Sequence, residues 1–93
     1  MNDKELLEYA AKAAGIEVEW SDITECFWGD GDSWVPLDDD GDALRLAVKL
    51  ELRVAWYEGK VYVDYIVEQY DNDPYAATRR AIVRAAAEIG RQA

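Results

Sequence analysis

The sequence predicts an α+β fold in which three helices are layered on an antiparallel sheet of about four to five strands, in the order α-β-β-β-α-β-β-α. Three observations lead there. Three segments place apolar residues at helical spacing behind Asn or Asp caps. The stretches between them alternate apolar and polar residues with period two. The clearest alternating runs are joined by short Gly-containing links, which suit antiparallel hairpins rather than the long crossovers of a doubly wound parallel sheet. Residues 1–93 are expected to form a single globular domain, since a chain of this length supports one modest core.

Residues 2–14 read as the first helix. Asn2 stands at the cap, and Glu5 three residues later completes the spacing of a capping box. Leu6, Tyr9, Ala10 and Ala13 share one face, Glu8 and Lys12 form an i,i+4 pair outside it, and Gly15 follows where a left-handed residue favours glycine. From Ile16 to Trp20 the period changes to two, with Ile16, Val18 and Trp20 on one side of a half-buried strand. Thr24–Trp28 suits a second strand, Gly29-Asp30-Gly31-Asp32 a turn, and Ser33-Trp34-Val35 the return of a hairpin over residues 24–35.

Pro36 stops that strand, and Asp38, Asp39 and Asp40 offer caps for a second helix through Leu50. Ala43, Leu44, Leu46, Ala47, Val48 and Leu50 leave so little of it polar that it is expected to be substantially buried. Leu52, Val54 and Trp56 then alternate with Glu51, Arg53 and Ala55, and Glu58-Gly59 links Tyr57 to Lys60. Val61, Val63, Tyr65 and Val67 continue as one strand whose other face carries Tyr62, Asp64, Ile66 and Glu68. Asp73 caps the last helix, with Pro74 in its first position. Tyr75, Thr78, Ile82, Ala85, Ala86 and Ile89 form its inner stripe, Arg80, Arg84 and Arg91 lie nearly opposite, and it ends near Gly90. No internal repeat is apparent.

Composition removes many functions. There are 20 acidic and 10 basic residues and no histidine, for a formal charge of −10. Without imidazole there is no Ser-His or Cys-His pair and no His-ligated metal, and the single cysteine, Cys26, excludes an internal disulfide and a CxxC site. No Walker A or GxGxxG loop is present, so the chain reads as a non-enzyme with no cofactor and no metal. Direct nucleic-acid binding calls for a basic surface, and an anionic membrane repels this charge. With no signal pattern and no long apolar run, a cytoplasmic location is expected.

The charge is local. Residues 17–42 hold ten carboxylates and no basic residue. Three readings compete: solubility with turn formation and capping, a carboxylate surface that imitates nucleic-acid phosphates, and a divalent-cation site at Asp38, Asp40 and Asp42. The last is poorly supported, because Gly41 is misplaced for an EF-hand loop and no bidentate Glu follows. Trp20 and Trp56 read as core residues. Trp28 and Trp34 either pack across the hairpin or anchor a partner. Cys26 reads as a small buried residue. Arg80 and Arg84 offer an alternative site for a phosphate- or nucleotide-containing ligand, and otherwise form a solvated helix face.

The segments Trp34-Val35-Pro36-Leu37, Asp39–Val48 and Asp73–Val83 (the last containing Ala77-Thr78-Arg79-Arg80-Ala81-Ile82) resemble small bacteriophage and prophage proteins of the phage ABA sandwich type. That resemblance implies a sheet between helical layers and a phage origin, and it transfers no catalytic residue. Small acidic phage proteins are often inhibitors of host defence complexes, of anti-CRISPR or anti-restriction style, and some mimic DNA. The leading expectation is therefore a stoichiometric inhibitor in the cytoplasm of an infected bacterium. It would bind a basic, nucleic-acid-handling surface of a host protein through Asp30, Asp32, Asp38, Asp39 and Asp40, with Trp34 as an apolar anchor. The alternative is a small-ligand module using Arg80 and Arg84, with oligomeric state open.

Overall fold

The computed structural model describes residues 1–93. Its elements are α1 (Asp3–Ala14), β1 (Glu19–Ser21), β2 (Cys26–Gly29), β3 (Asp32–Trp34), α2 (Asp40–Lys49), β4 (Val54–Tyr57), β5 (Lys60–Val63), β6 (Ile66–Gln69) and α3 (Pro74–Gln92). The class is α+β, as the sequence predicts. The strands number six, in two separate antiparallel meanders, β1-β2-β3 and β4-β5-β6, rather than four or five in one sheet between helical layers.

All three helices start the same way. The side chains of Asn2, Asp39 and Asp73 accept hydrogen bonds from the backbone N–H groups of Glu5, Asp42 and Ala76, and Asn2 and Glu5 complete the expected capping box. Each such cap stabilises its helix by about 1 kcal/mol. Gly15 takes the left-handed conformation, φ 70°, that ends α1. The β2–β3 and β4–β5 links, Asp30-Gly31 and Glu58-Gly59, have positive φ at both residues, the primed turn that matches strand twist. The six non-glycine residues with positive φ are Glu25, Asp30, Glu51, Glu58, Asp64 and Asp71, every one of them acidic.

Three expectations about the strands change. Ile16 and Val18 lie in an extended link and pack half-buried against the core, because β2 offers ladder partners only to Glu19–Ser21. The long strand from Val61 to Val67 breaks at Asp64-Tyr65. Asp64 turns left-handed at φ 51°, its N–H donates to the Arg53 carbonyl, and its carboxylate accepts from the Arg53 N–H. The chain then folds back as β6, which pairs Ile66 with Val63 and puts Ile66, rather than Val67, in the row with Val54 and Val63. Tyr65, now at a turn, is fully exposed.

The core is a single cluster of 18 residues, and ten of them are alanines. Small side chains let helices approach closely. Asp3 pairs with Arg80, and the Lys12 ammonium donates to the Ala93 carbonyl, so α1 and α3 run parallel. Gly90 lies inside α3 rather than at its end, and a Cβ built there would stand 1.9 Å from the Tyr9 carbonyl oxygen. The helix α3 also packs on α2, β5 and β6 and buries residues nearly all round its axis, from Ala77 to Gly90. No helix is long and apolar enough to cross a membrane.

The order α-βββ-α-βββ-α contains a repeat that the sequence reading missed. Ile16-x-Val18-x-Trp20 after α1 recurs as Leu52-x-Val54-x-Trp56 after α2. The helix ends match as well: the Ile16 N–H donates to the Ala11 carbonyl, and the Leu52 N–H to the Ala47 carbonyl, across left-handed Gly15 and Glu51.

A Gly90→Ala variant tests the close helix approach. The methyl group gains roughly 0.5–1 kcal/mol of helix propensity, but forcing the helices apart costs about 3 kcal/mol. Urea unfolding is expected to show a net loss of about 2 kcal/mol; unchanged stability would show that α1 and α3 do not meet here.

Candidate functional site

The predicted partner-binding residues lie in three places. Asp30 and Asp32, on the β2–β3 turn, border a depression shared with Asp42, Arg45 and Lys49. Asp38 borders another, beside Glu25, Cys26, Lys4 and Arg80. Asp40 lines a third, against α3. Asp39 caps α2, its Oδ2 accepting from the Asp42 N–H at 2.8 Å. The expected apolar anchor, Trp34, is only 8% exposed: it is a core residue, because its position in the β3 ladder opposite Phe27 points it inward. No three carboxylates or thiols converge where they would hold a metal ion; Asp38, Asp40 and Asp42 each face different neighbours.

The arginines of α3 have acceptors within the chain. Arg80 pairs with Asp3 at 3.2 Å, and Arg84 donates to Glu68 at 2.5 Å and to the Val67 carbonyl. A ligand phosphate would have to displace these carboxylates. Arg79, which sequence reasoning did not single out, is the most enclosed of the paired arginines: its Nε donates to the Leu37 carbonyl at 2.9 Å and its Nη1 to Asp40 at 2.7 Å. Of the ten carboxylates in residues 17–42, only Asp40 and Asp42 form ion pairs, with Arg79 and Arg45. The other eight have no cationic partner in the chain.

Trp56 and Tyr75, both expected inside, are exposed and border the depression that Asp40 lines; Ile89, expected on the inner stripe of α3, is exposed as well, near the end of that helix. Trp56 is 57% exposed, although it lies in the same row as buried Val61, because β4 is the edge of its sheet and nothing covers its far side. Tyr75, in the first turn of α3, is 69% exposed. On α2, Leu44 and Val48 are 62% and 68% exposed, so that helix buries only Ala43, Leu46 and Ala47 completely. The result is a groove of about 520 Å³ between α2, β4 and the start of α3. Ala43, Ala47, Val54 and Ile82 line it together with Leu44, Trp56 and Tyr75. The Trp56 indole N–H donates to the Thr78 hydroxyl at 2.9 Å, which in turn donates to the Pro74 carbonyl, so the ring is held in place although exposed. A sequence signal existed: Leu44 and Val48 stand one helical turn apart, off the face centred on Ala43, Leu46 and Ala47.

Elsewhere, Trp28 bonds Thr24 through its indole N–H, and Cys26 is half-buried rather than buried, its sulfur 3.4 Å from the Thr24 hydroxyl. The Glu88 carboxyl is held below the usual glutamate value by hydrogen bonds from Arg91 and then Gln92. Comparison with protein-family models, with curated proteins and with solved structures finds no match for this chain.

Two measurements check these electrostatics. Arg79→Met is expected to lower stability by about 2 kcal/mol, since it orphans the part-buried Leu37 carbonyl and removes an enclosed guanidinium, whereas Arg80→Met, at a half-open surface pair, is expected to cost under about 1 kcal/mol. Equal losses in denaturant titrations would contradict the difference in enclosure. For Glu88, the lowered native pKa means that its contribution is present above the usual carboxylate range and is lost as pH falls through the lowered value. An NMR titration is expected to place its midpoint below that of an unfolded glutamate, with the depression removed by Arg91→Met.

Proposed function

We propose that this domain is a non-catalytic binding protein that occupies a basic, nucleic-acid-handling surface of a partner protein. The observation that carries the reading is the electrostatic imbalance of residues 17–42, where eight carboxylates stand without a cationic partner in the chain. Such a one-signed field draws a basic partner quickly and in a salt-dependent way. Asp30, Asp32 and Asp38 are the most direct contributors, exposed and free of side-chain bonds, whereas Asp39 and Asp40 serve α2 and its tie to α3. The resemblance to small phage proteins adds a setting: the cytoplasm of an infected bacterium, with a host defence complex as target and inhibition by occupancy as the mechanism.

The test is capture from a lysate of a defence-bearing host, followed by competition. The expected partner is a nucleic-acid-binding protein that added nucleic acid displaces and that is released between about 0.1 M and 1 M salt, where the screening length shrinks from roughly 10 to 3 Å. Replacing Glu19, Asp32 and Asp38 by Lys is expected to abolish capture without unfolding the domain. Capture that survives both high salt and these reversals would end the proposal.

A further inference from the structure

We infer that the groove between α2, β4 and α3 is a docking site for a basic amphipathic helix of a partner protein, with a lysine or arginine of that helix seated on the Trp56 ring. The inference rests on the binding reading above and names the contact it would use.

The repeat supplies the strongest argument. When Ile16, Val18 and Trp20 are matched to Leu52, Val54 and Trp56, Lys4 falls on Asp40. In the first unit the Lys4 ammonium lies over the Trp20 ring, 4.8 Å from its centroid, and Phe27 packs edge-on against that ring at 5.0 Å. In the second unit the tryptophan is exposed and no cation of the chain lies over it; the position that matches Lys4 is Asp40, which lines the same groove and pairs with Arg79. An exposed aromatic face with no cation of its own is suited to one from outside.

The charge around the groove agrees. Asp39 and Asp40 cap and begin α2, and Asp71 and Asp73 lie within three residues before Pro74, so both helix starts at the groove carry aspartates, of which Asp40 lines it. The one arginine in the lining, Arg79, is tied to Asp40 and the Leu37 carbonyl. A second copy of this chain would bring another −10 of charge to the same place, which disfavours self-association. The apolar contacts favour a helix: Leu44 rises beside small Ala43 and Ala47 in the lining, and exposed Val48 extends that ridge one turn beyond it, a surface on which a helix can lay its apolar face.

A peptide of about 14 residues, with leucines and lysines at helical spacing, serves as the probe in about 0.15 M salt. A scrambled peptide of the same composition is the control. Titration of the labelled domain is expected to shift the Trp56 indole N–H and the amides of Leu44 and Thr78 saturably, with the scrambled peptide binding about tenfold more weakly. Leu44→Asp, at an exposed position, is expected to keep the melting temperature and lose about tenfold in affinity. Trp56→Ala is expected to lose a similar factor, and Glu8→Lys, on the exposed face of α1 away from the groove, less than about threefold. Equal binding of the scrambled peptide, shifts centred on the Asp30–Asp32 turn, or a solution dimer dissolved by Leu44→Asp would each overturn the inference. A groove that binds the probe in a domain that captures no nucleic-acid-handling protein would support this inference and end the broader proposal.

Discussion

Where α1 and α3 meet, almost nothing separates the two backbones. Gly90 lies against the Tyr9 carbonyl with no room for a methyl group, and alanines continue the contact on both helices. Dispersion gained by close contact takes the place of bulky core side chains. The arrangement fixes α3 as the central element, since the same helix also supports α2, β5 and β6. With one side of α3 committed to α1, the second sheet and α2 share what remains, and β4 is left as an open edge. The groove at Trp56 is thus a consequence of how tightly the helices pack elsewhere.

Charge in this protein divides into two populations. One is structural: Asp39 and Asp73 close helix starts, and Asp3, Asp40, Asp42, Glu68 and Glu88 meet arginines. The other population, including Glu17, Glu19, Asp32 and Asp38, has no side-chain role inside the fold. Mutual repulsion among such charges destabilises the compact state and is offset by whatever binds them. A sequence total of −10 conceals this division, because it counts a capping aspartate and an idle one alike.

Local chemistry was legible in the sequence. The three caps, the Asp30-Gly31 and Glu58-Gly59 turns and the α+β order each follow from residues within a few positions of one another. What escaped depends on distant partners. Asp64 breaks a good alternating run because its side chain finds the Arg53 N–H across the hairpin, and alternation alone does not reveal that bond. Trp56 and Leu44 look like core residues by period, but whether a residue on the right face is covered depends on where the next layer ends. The candidate acidic residues were identified as charges and not as a surface; only their neighbours distinguish Asp40, engaged with Arg79, from Asp38. The repeat was hidden because its two copies share few identities beyond the Val-x-Trp strand.

The left-handed positions carry a further implication. Glycine suits such a backbone without strain, whereas an L-residue there costs about 1 kcal/mol or more. Aspartate recovers part of that through local hydrogen bonds, but the glutamates at Glu25, Glu51 and Glu58 have a longer side chain that recovers less. At each of these bends the chain holds a carboxylate where folding alone would favour glycine. Glycine at Glu25, Glu51 or Glu58 would relax the backbone and subtract charge from the same loops, so conformational ease and negative potential are set against each other there. Natural drift toward the most relaxed turn would erode the acidity of the molecule one bend at a time.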